Sequence, residues 1–230
     1  MAALVFLDAT AHQQLKHDQQ ARYRATLQRH CLPVVLSEFV DAAATLPLVF
    51  IKDAETGMFR SCVLTGLRPG QNLCTDGAAW VGYEPKVMWH QPLVAVAQDS
   101  GGYAIAVEQP HVQISEIQGQ ALFNGAAATP YLHQLSQLAI QWQTEAAHTQ
   151  AFVATLLKLA LLEPQTLTVT GPDGPFDVKG CYVINGRQWA ALPDTDFLQL
   201  RELGYLPAIY AAMASLGQVD MLISKLPVRG

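Results

Sequence analysis

The chain has 230 residues, 50% of them hydrophobic and 14% charged, with a formal net charge of −5. That apolar share is ample for a buried core and excludes global disorder. The 14 Lys and Arg are scattered, densest at Arg22, Arg24 and Arg29, so no concentrated basic face exists to replace phosphate counterions, and nucleic acid is excluded as a partner.

The opening stretch MAALVFLDAT is apolar, but it has no basic flank and meets Asp8 early, which does not fit a secretory signal. The apolar run AFVATLLKLALL (151–162) is interrupted by Lys158 and is too short to cross a bilayer. No transmembrane segment is expected. Cys31, Cys62, Cys74 and Cys181 are widely spaced with no CxxC pair. Free, mostly buried thiols and a cytoplasmic location are the expectation.

From about 30 to 125, short apolar runs alternate with turn signals. LPVVL (32–36), LPLVFIK (46–52), FRSCVLTGL (59–67), PLVAVAQ (92–98) and YAIAVEQ (103–109) predict strands separated by Gly-, Asp- and Asn-rich turns. Two of these runs flank Asp99-Ser100-Gly101-Gly102, a hairpin with glycines available for positive φ. At Thr129-Pro130 the period changes: a candidate N-cap is followed by proline at the first helical position. Leu135, Leu138, Trp142, Phe152, Leu156 and Leu159 then recur at helical spacing. Glu145 and Thr149 lie in the same seam. No glycine or proline interrupts the pattern before Pro164, so it predicts one long helix, or two broken near 145–150 where the seam turns polar.

TLTVTGPDGPFDVKGCYVING (166–186) reads as a second hairpin with Gly-Pro-Asp-Gly-Pro as its turn. Asp194 then serves as a candidate N-cap and Gly204 as a C′ residue, and 205–218 places Leu206, Ile209, Tyr210, Met213 and Leu216 on one helical face. The sum is an α+β fold: an antiparallel sheet-rich first half, a long helix, a β-hairpin and two short helices. With no internal repeat or low-complexity linker, one compact domain over 1–230 is expected, β-rich at 30–125 and helix-rich at 129–225.

Catalytic chemistry is thinly represented. His90, Glu108 and His111 form the one candidate metal set, two histidines and a carboxylate on a β scaffold. Glu108 and His111, three apart in an extended chain, point to opposite faces unless Pro110 bends them together. No Gly-x-Ser-x-Gly elbow or phosphate-binding glycine loop is present. The densest feature is WVGYEPKVMWHQP (80–92). Such a cluster more often covers one end of a sheet than lines a pocket, yet aromatics with a few polar groups also make a binding wall. Trp80, Tyr83, Trp89, His90 and Gln91 are the candidate ligand-binding residues. Trp80, Tyr83 and Pro85 are expected to form a wall between the sheet and the helical half.

The same region resembles the bacterial SapC family. Pro47 to Phe50, Thr65-Gly66-Leu67, Asn72-Leu73-Cys74, then Trp80, Tyr83 and Pro85 match its motifs in order. Upstream, Glu38-Phe39 and the following alanines match its opening. Downstream, Phe123-Asn124 with Gly125, and Gly204-Tyr205-Leu206 through Tyr210 to Ser215-Leu216 and Gln218, match its later motifs. The likeness spans nearly the whole chain. It departs where the family carries Arg-Arg-Tyr-Pro-Phe, since Trp89 and His90 stand in place of the arginines. If those arginines bind an anion in relatives, that contact is lost here. The resemblance implies a link to the bacterial cell envelope and no defined reaction. The expected function is a non-catalytic binding or accessory protein working with a peptide, an envelope component or a partner protein, without a cofactor. The alternative is an oxygenase-like or peptide-modifying enzyme with a metal at His90, Glu108 and His111. Oligomeric state is not legible.

Overall fold

The computed structural model describes residues 3–171 and 174–226. Strands β1 (Ala3–Phe6) and β2 (Lys16–His17) precede helix α1 (Arg22–Thr26) and β3 (Cys31–Pro33), and helix α2 (Phe39–Ala43) leads to β4 (Leu48–Lys52) and β5 (Phe59–Leu64). Helix α3 (Val87–His90) introduces β6 (Leu93–Ala97) and β7 (Tyr103–Gln109). The short strands β8 (Ile114–Ser115), β9 (Gln120–Ala121), β10 (Phe123–Asn124) and β11 (Ala127–Ala128) follow, then the long helix α4 (Pro130–Lys158). Beyond it lie β12 (Leu162–Gly171), β13 (Gly174–Ile184) and helices α5 (Gly186–Ala190), α6 (Asp194–Glu202), α7 (Leu206–Ser215) and α8 (Val219–Ser224).

The fold is α+β in the order the sequence implies, with local differences that have causes. The β6–β7 hairpin forms, with Gly101 and Gly102 both at positive φ. LPVVL is strand only to Pro33, because the Glu38 carboxylate accepts the Val35 N–H at 2.9 Å and turns the chain into a 3-10 helix over Leu36–Glu38. Residues 87–90 are helical rather than extended. The tail holds four helices among the described residues where two were expected. Pro193 is the N-cap residue of α6, and Asp194 is its first helical residue. The proposed turn residues Pro172 and Asp173 lie outside the described residues, and Gly171 and Gly174 on either side pair across the hairpin.

The described residues divide into two compact units. Unit 1 takes the chain up to Leu27, Thr75–Trp80 and Lys86–Thr144; unit 2 takes Gln28–Cys74, Val81–Pro85 and the chain from Glu145 onward. This division does not follow the β-rich and helix-rich halves of the sequence. It cuts through α4, which is unbroken, at the point where its apolar seam turns polar.

In unit 1, β1, β7 and β6 form one antiparallel sheet and β8, β2 and β9 a second, with β10 and β11 as a two-stranded ribbon. Leu15, Leu93, Leu122, Phe123, Leu132 and Leu135 make its core. Thr129 Oγ1 accepts the Leu132 N–H at 3.2 Å and caps the start of α4.

In unit 2, an antiparallel sheet has the order β12-β13-β4-β5-β3. Its core is built on Phe39, Phe50 and Phe152, all essentially inaccessible. Phe152 meets Phe39 edge-on at 5.7 Å between ring centroids and Phe50 at 6.4 Å, while Tyr205 meets Phe152 at 5.0 Å. All four cysteines are free thiols in this unit; Cys62, Cys74 and Cys181 are buried and Cys31 is half-buried. Among the described residues one stretch, Leu206–Ser224, is long and apolar enough to cross a membrane. A core helix can share that length and composition with a bilayer span, and here Ala208, Ile209, Ala212 and Leu222 are buried within unit 2.

Helix α4 stops at Lys158, well before Pro164, because Ala160 takes a left-handed conformation at φ 52°. The Leu161 N–H donates to Leu156 O at 2.9 Å and the Ala160 N–H to Leu157 O at 3.0 Å, the paired bonds of a Schellman cap. Leu161, fully buried, supplies the apolar contact that accompanies it. A side chain is costly at that φ, so Ala160→Gly is expected to stabilise unit 2 by about 0.5–1 kcal/mol. Urea denaturation of the two proteins measures this. Phe152→Ala, which removes the ring at the centre of the cluster, should cost about 3–5 kcal/mol in the same assay.

Candidate binding site

The aromatic segment is shared between the units: Trp80 and residues 86–92 belong to unit 1, and Val81–Pro85 to unit 2. Each set of residues is therefore built on its own scaffold.

In unit 1, a turn presents Trp80. Asp76 Oδ1 accepts the N–H groups of Ala78 and Ala79, and Thr75 pairs with Trp80 as an isolated bridge. The Trp80 ring stacks on Tyr23 at 6.2 Å, 24° between planes. Helix α1 starts after a short 3-10 turn whose N-cap, Asp18, accepts the Gln20 N–H. Its first residue, Arg22, lays its guanidinium over the Tyr23 ring at 4.2 Å and over the Trp89 ring at 4.5 Å. Arg22 Nη1 donates to Gln19 O and Nη2 to the Tyr23 hydroxyl at 2.6 Å, so the cation is aimed as well as attracted. Each cation–π contact of this kind stabilises by about 0.5–1 kcal/mol near the surface. Trp89, on α3, is 40% exposed. The surface is a run of aromatic and guanidinium planes, Trp80–Tyr23–Arg22–Trp89, with one large ring open to solvent.

His90 and Trp89 are neighbours in a helix, so they diverge. His90 is 4% exposed. Its Nδ1–H donates to Leu93 O at 2.9 Å, and its ring lies 5.6 Å from that of Trp142. His90 Nε2 and Trp142 Nε1 are buried with no hydrogen-bond partner among the described residues. His17 is equally buried, with Nδ1 accepting from the Tyr131 hydroxyl at 2.7 Å and Nε2–H donating to Gln91 O at 3.0 Å. Gln91 is half-buried, and this backbone oxygen is its link to the interior. The sequence does not single out His17, Tyr131 or Arg22. Arg22 gave a signal only as part of a loose basic run.

In unit 2, Tyr83 is fixed at both ends. Its N–H donates to Thr45 Oγ1 at 2.8 Å, and its hydroxyl donates to Glu38 Oε1 at 3.1 Å. Glu38 is fully buried, and its second oxygen holds the Val35 N–H, so both carboxylate oxygens have a partner. Burial, then the Glu38 charge, pushes the Tyr83 phenol well above its ordinary value. Tyr83 is thus a brace rather than a proton donor at neutral pH. Pro85 is buried in the same unit.

The alternative metal set does not assemble. His90 turns to Leu93 and Trp142. Glu108 sits on β7 opposite Leu4 of β1, and His111 Nδ1 accepts the Gln113 N–H beside a groove of about 230 Å³. Among the described residues no group of three or more His, Cys, Asp or Glu is placed to hold a metal ion. The physical reason is the helical turn at 87–90, which sends His90 into the interior.

Burial lowers the pKa of both His17 and His90 below the ordinary histidine value, although the backbone hydrogen bonds to Gln91 O and Leu93 O oppose it. Above the unfolded histidine value of about 6.5 neither state holds the extra proton, and stability is complete. As pH falls below it, the unfolded chain takes up protons that the folded chain resists, and stability is lost. Urea midpoints should therefore fall between pH 7.5 and pH 5.5. His90→Gln, which keeps a donor for Leu93 O and cannot titrate, should show a shallower fall.

The SapC family model matches residues 7–222. No curated protein and no solved structure matches the chain.

Proposed function

This chain belongs to the SapC family, and on that footing we propose that it is a non-catalytic binding or accessory protein of bacterial peptide or envelope processes, acting in the cytoplasm. The observation that carries the reading is the Trp89 ring, 40% exposed and backed by the Arg22 guanidinium. A large apolar plane held rigid by a cation is a stacking surface for the rings of proline or aromatic residues in an extended peptide. Its polar neighbours are already committed: His90 faces inward, and the Tyr83 hydroxyl is given to Glu38. A catalyst needs a base, nucleophile or metal beside the reacting atom, and among the described residues no metal-holding group is placed beside the exposed ring.

The test is a tryptophan-fluorescence titration of the full chain with a proline-rich peptide and, separately, with soluble cell-wall muropeptides, each ligand being recovered and weighed by mass spectrometry. Saturable binding to one of them is expected, with the ligand returned unchanged. Trp89→Ala should weaken it about 30-fold, the effect of losing ~2 kcal/mol at a stacked ring, with an unaltered circular dichroism spectrum. Conversion of the ligand, or binding indifferent to Trp89→Ala, would overturn the reading.

A further inference from the structure

Three of the four thiols share one face of the unit 2 sheet. Cys31 on β3 stands opposite Leu64 of β5, and Pro33 stands opposite Cys62. Positions two apart on a strand share a face, so Cys31 and Cys62 are diagonal neighbours on one side of this pair. The face continues across β4 to β13, where Val49 stands opposite Cys62 and Ile51 opposite Cys181. The Cys31 and Cys62 thiols are hydrogen-bonded to each other. Cys31 is half-buried on the edge strand, whereas Cys62 is 6% exposed and Cys181 4% exposed on strands further in. From this geometry we infer that Cys31 and Cys62 are an oxidisable pair: Cys31 reacts with a hydroperoxide, and Cys62 resolves the product into an intrachain disulfide.

The two positions divide the roles. Reaction with a peroxide needs access and thiolate character together. The hydrogen bond from the Cys62 S–H holds the Cys31 thiol below its ordinary value, against burial, with the Arg29 charge assisting. The same bond, then burial, pushes Cys62 well above its ordinary value, so Cys62 keeps its proton until Cys31 has reacted. Burial is the main cause that pushes Cys74 and Cys181 up to about 11. Cys74 is also engaged elsewhere, its thiol donating to Thr65 O at 3.8 Å. The register of β3 is fixed from both ends: His30 O accepts the Thr65 and Gly66 N–H groups, and the Val34 N–H donates to Ser61 O. Diagonal neighbours stand slightly wider than a relaxed disulfide spans. The remaining approach falls on β3, which has three residues and pairs with β5 alone among the described strands.

The chemistry closes on two thiols and one peroxide. The Cys31 thiolate attacks a peroxide oxygen and breaks the O–O bond; hydroxide leaves, takes up a proton as water, and the sulfur becomes a sulfenic acid. The Cys62 sulfur then loses its proton and attacks the Cys31 sulfur, expelling the sulfenic hydroxyl as a second water. Two thiols are oxidised to one disulfide while the peroxide is reduced to water. The bond closes a loop that carries α2 and β4, and with them Phe39 and Phe50 of the unit 2 core.

The pair shares no residue with the Trp89 surface, so the two readings fail separately. The full chain, reduced and then freed of reductant, is treated with hydrogen peroxide. Remaining thiols are blocked with iodoacetamide in denaturant and the digest is mapped by mass spectrometry without reduction. Two of the four thiols are expected to disappear, with one peptide pair joined through Cys31 and Cys62 and released by dithiothreitol. A brief iodoacetamide pulse on the folded, reduced protein should label Cys31 about tenfold faster than any other cysteine. Cys62→Ala should stop the reaction at a Cys31 sulfenic acid that dimedone traps, and Cys181→Ala should leave the Cys31–Cys62 link unchanged. Should Cys62→Ala fail to fold, the map of the parent chain and its labelling order decide alone. No link, a link from Cys31 to Cys74 or Cys181, or a link formed only between chains overturns the proposal.

Discussion

Unit 2 depends on the contact among Phe39, Phe50 and Phe152. One ring comes from α2, one from the central strand β4 and one from α4, and each lies within 6.4 Å of the other two. Rings at these tilted and edge-on angles gain contact beyond their buried area. Removing any one leaves a hole that the others cannot fill. Tyr205 closes the cluster from the α6–α7 corner.

This arrangement explains what the family's motifs do. Phe39 follows the motif glutamate, Phe50 ends Pro-Leu-Val-Phe, and Tyr205 lies in the closing Gly-Tyr-Leu; all three are members of one core. Glu38 itself is spent on Val35 and Tyr83. At Gly66 a Cβ would fall 2.0 Å from Gln71 O, so only glycine fits the turn. Asn72 Oδ1 accepts the Cys74 N–H at 2.9 Å and shapes the loop after it. The signature thus records packing and turn geometry more than a reacting centre, and family membership by itself names no reaction.

The aromatic segment shows how a short stretch can serve two scaffolds. Its first tryptophan stacks on a tyrosine of α1, its tyrosine braces a buried carboxylate in unit 2, and its second tryptophan carries a guanidinium. In helical α3, Trp89 is turned outward and His90 inward. One became a surface and the other an interior contact, and with that turn the alternative metal set of His90, Glu108 and His111 does not assemble among the described residues.

The sequence by itself determined what period, composition and turn chemistry can carry. The α+β class, the β6–β7 hairpin with its two glycines, the Thr129 cap of α4 and the Gly204 stop all follow from local residues, because each is settled by backbone preferences within a few positions. Tertiary structure decided the rest. Residues 87–90 carry too short an apolar pattern to declare a period, so packing chose helix over strand. Ala160 ends α4 although nothing local marks it, because buried Leu161 holds the cap in place. Arg22 meets Trp89, and Ser37 meets Glu145, across 67 and 108 positions of chain. Contacts at such separations leave no periodic trace, and only the folded chain brings them together.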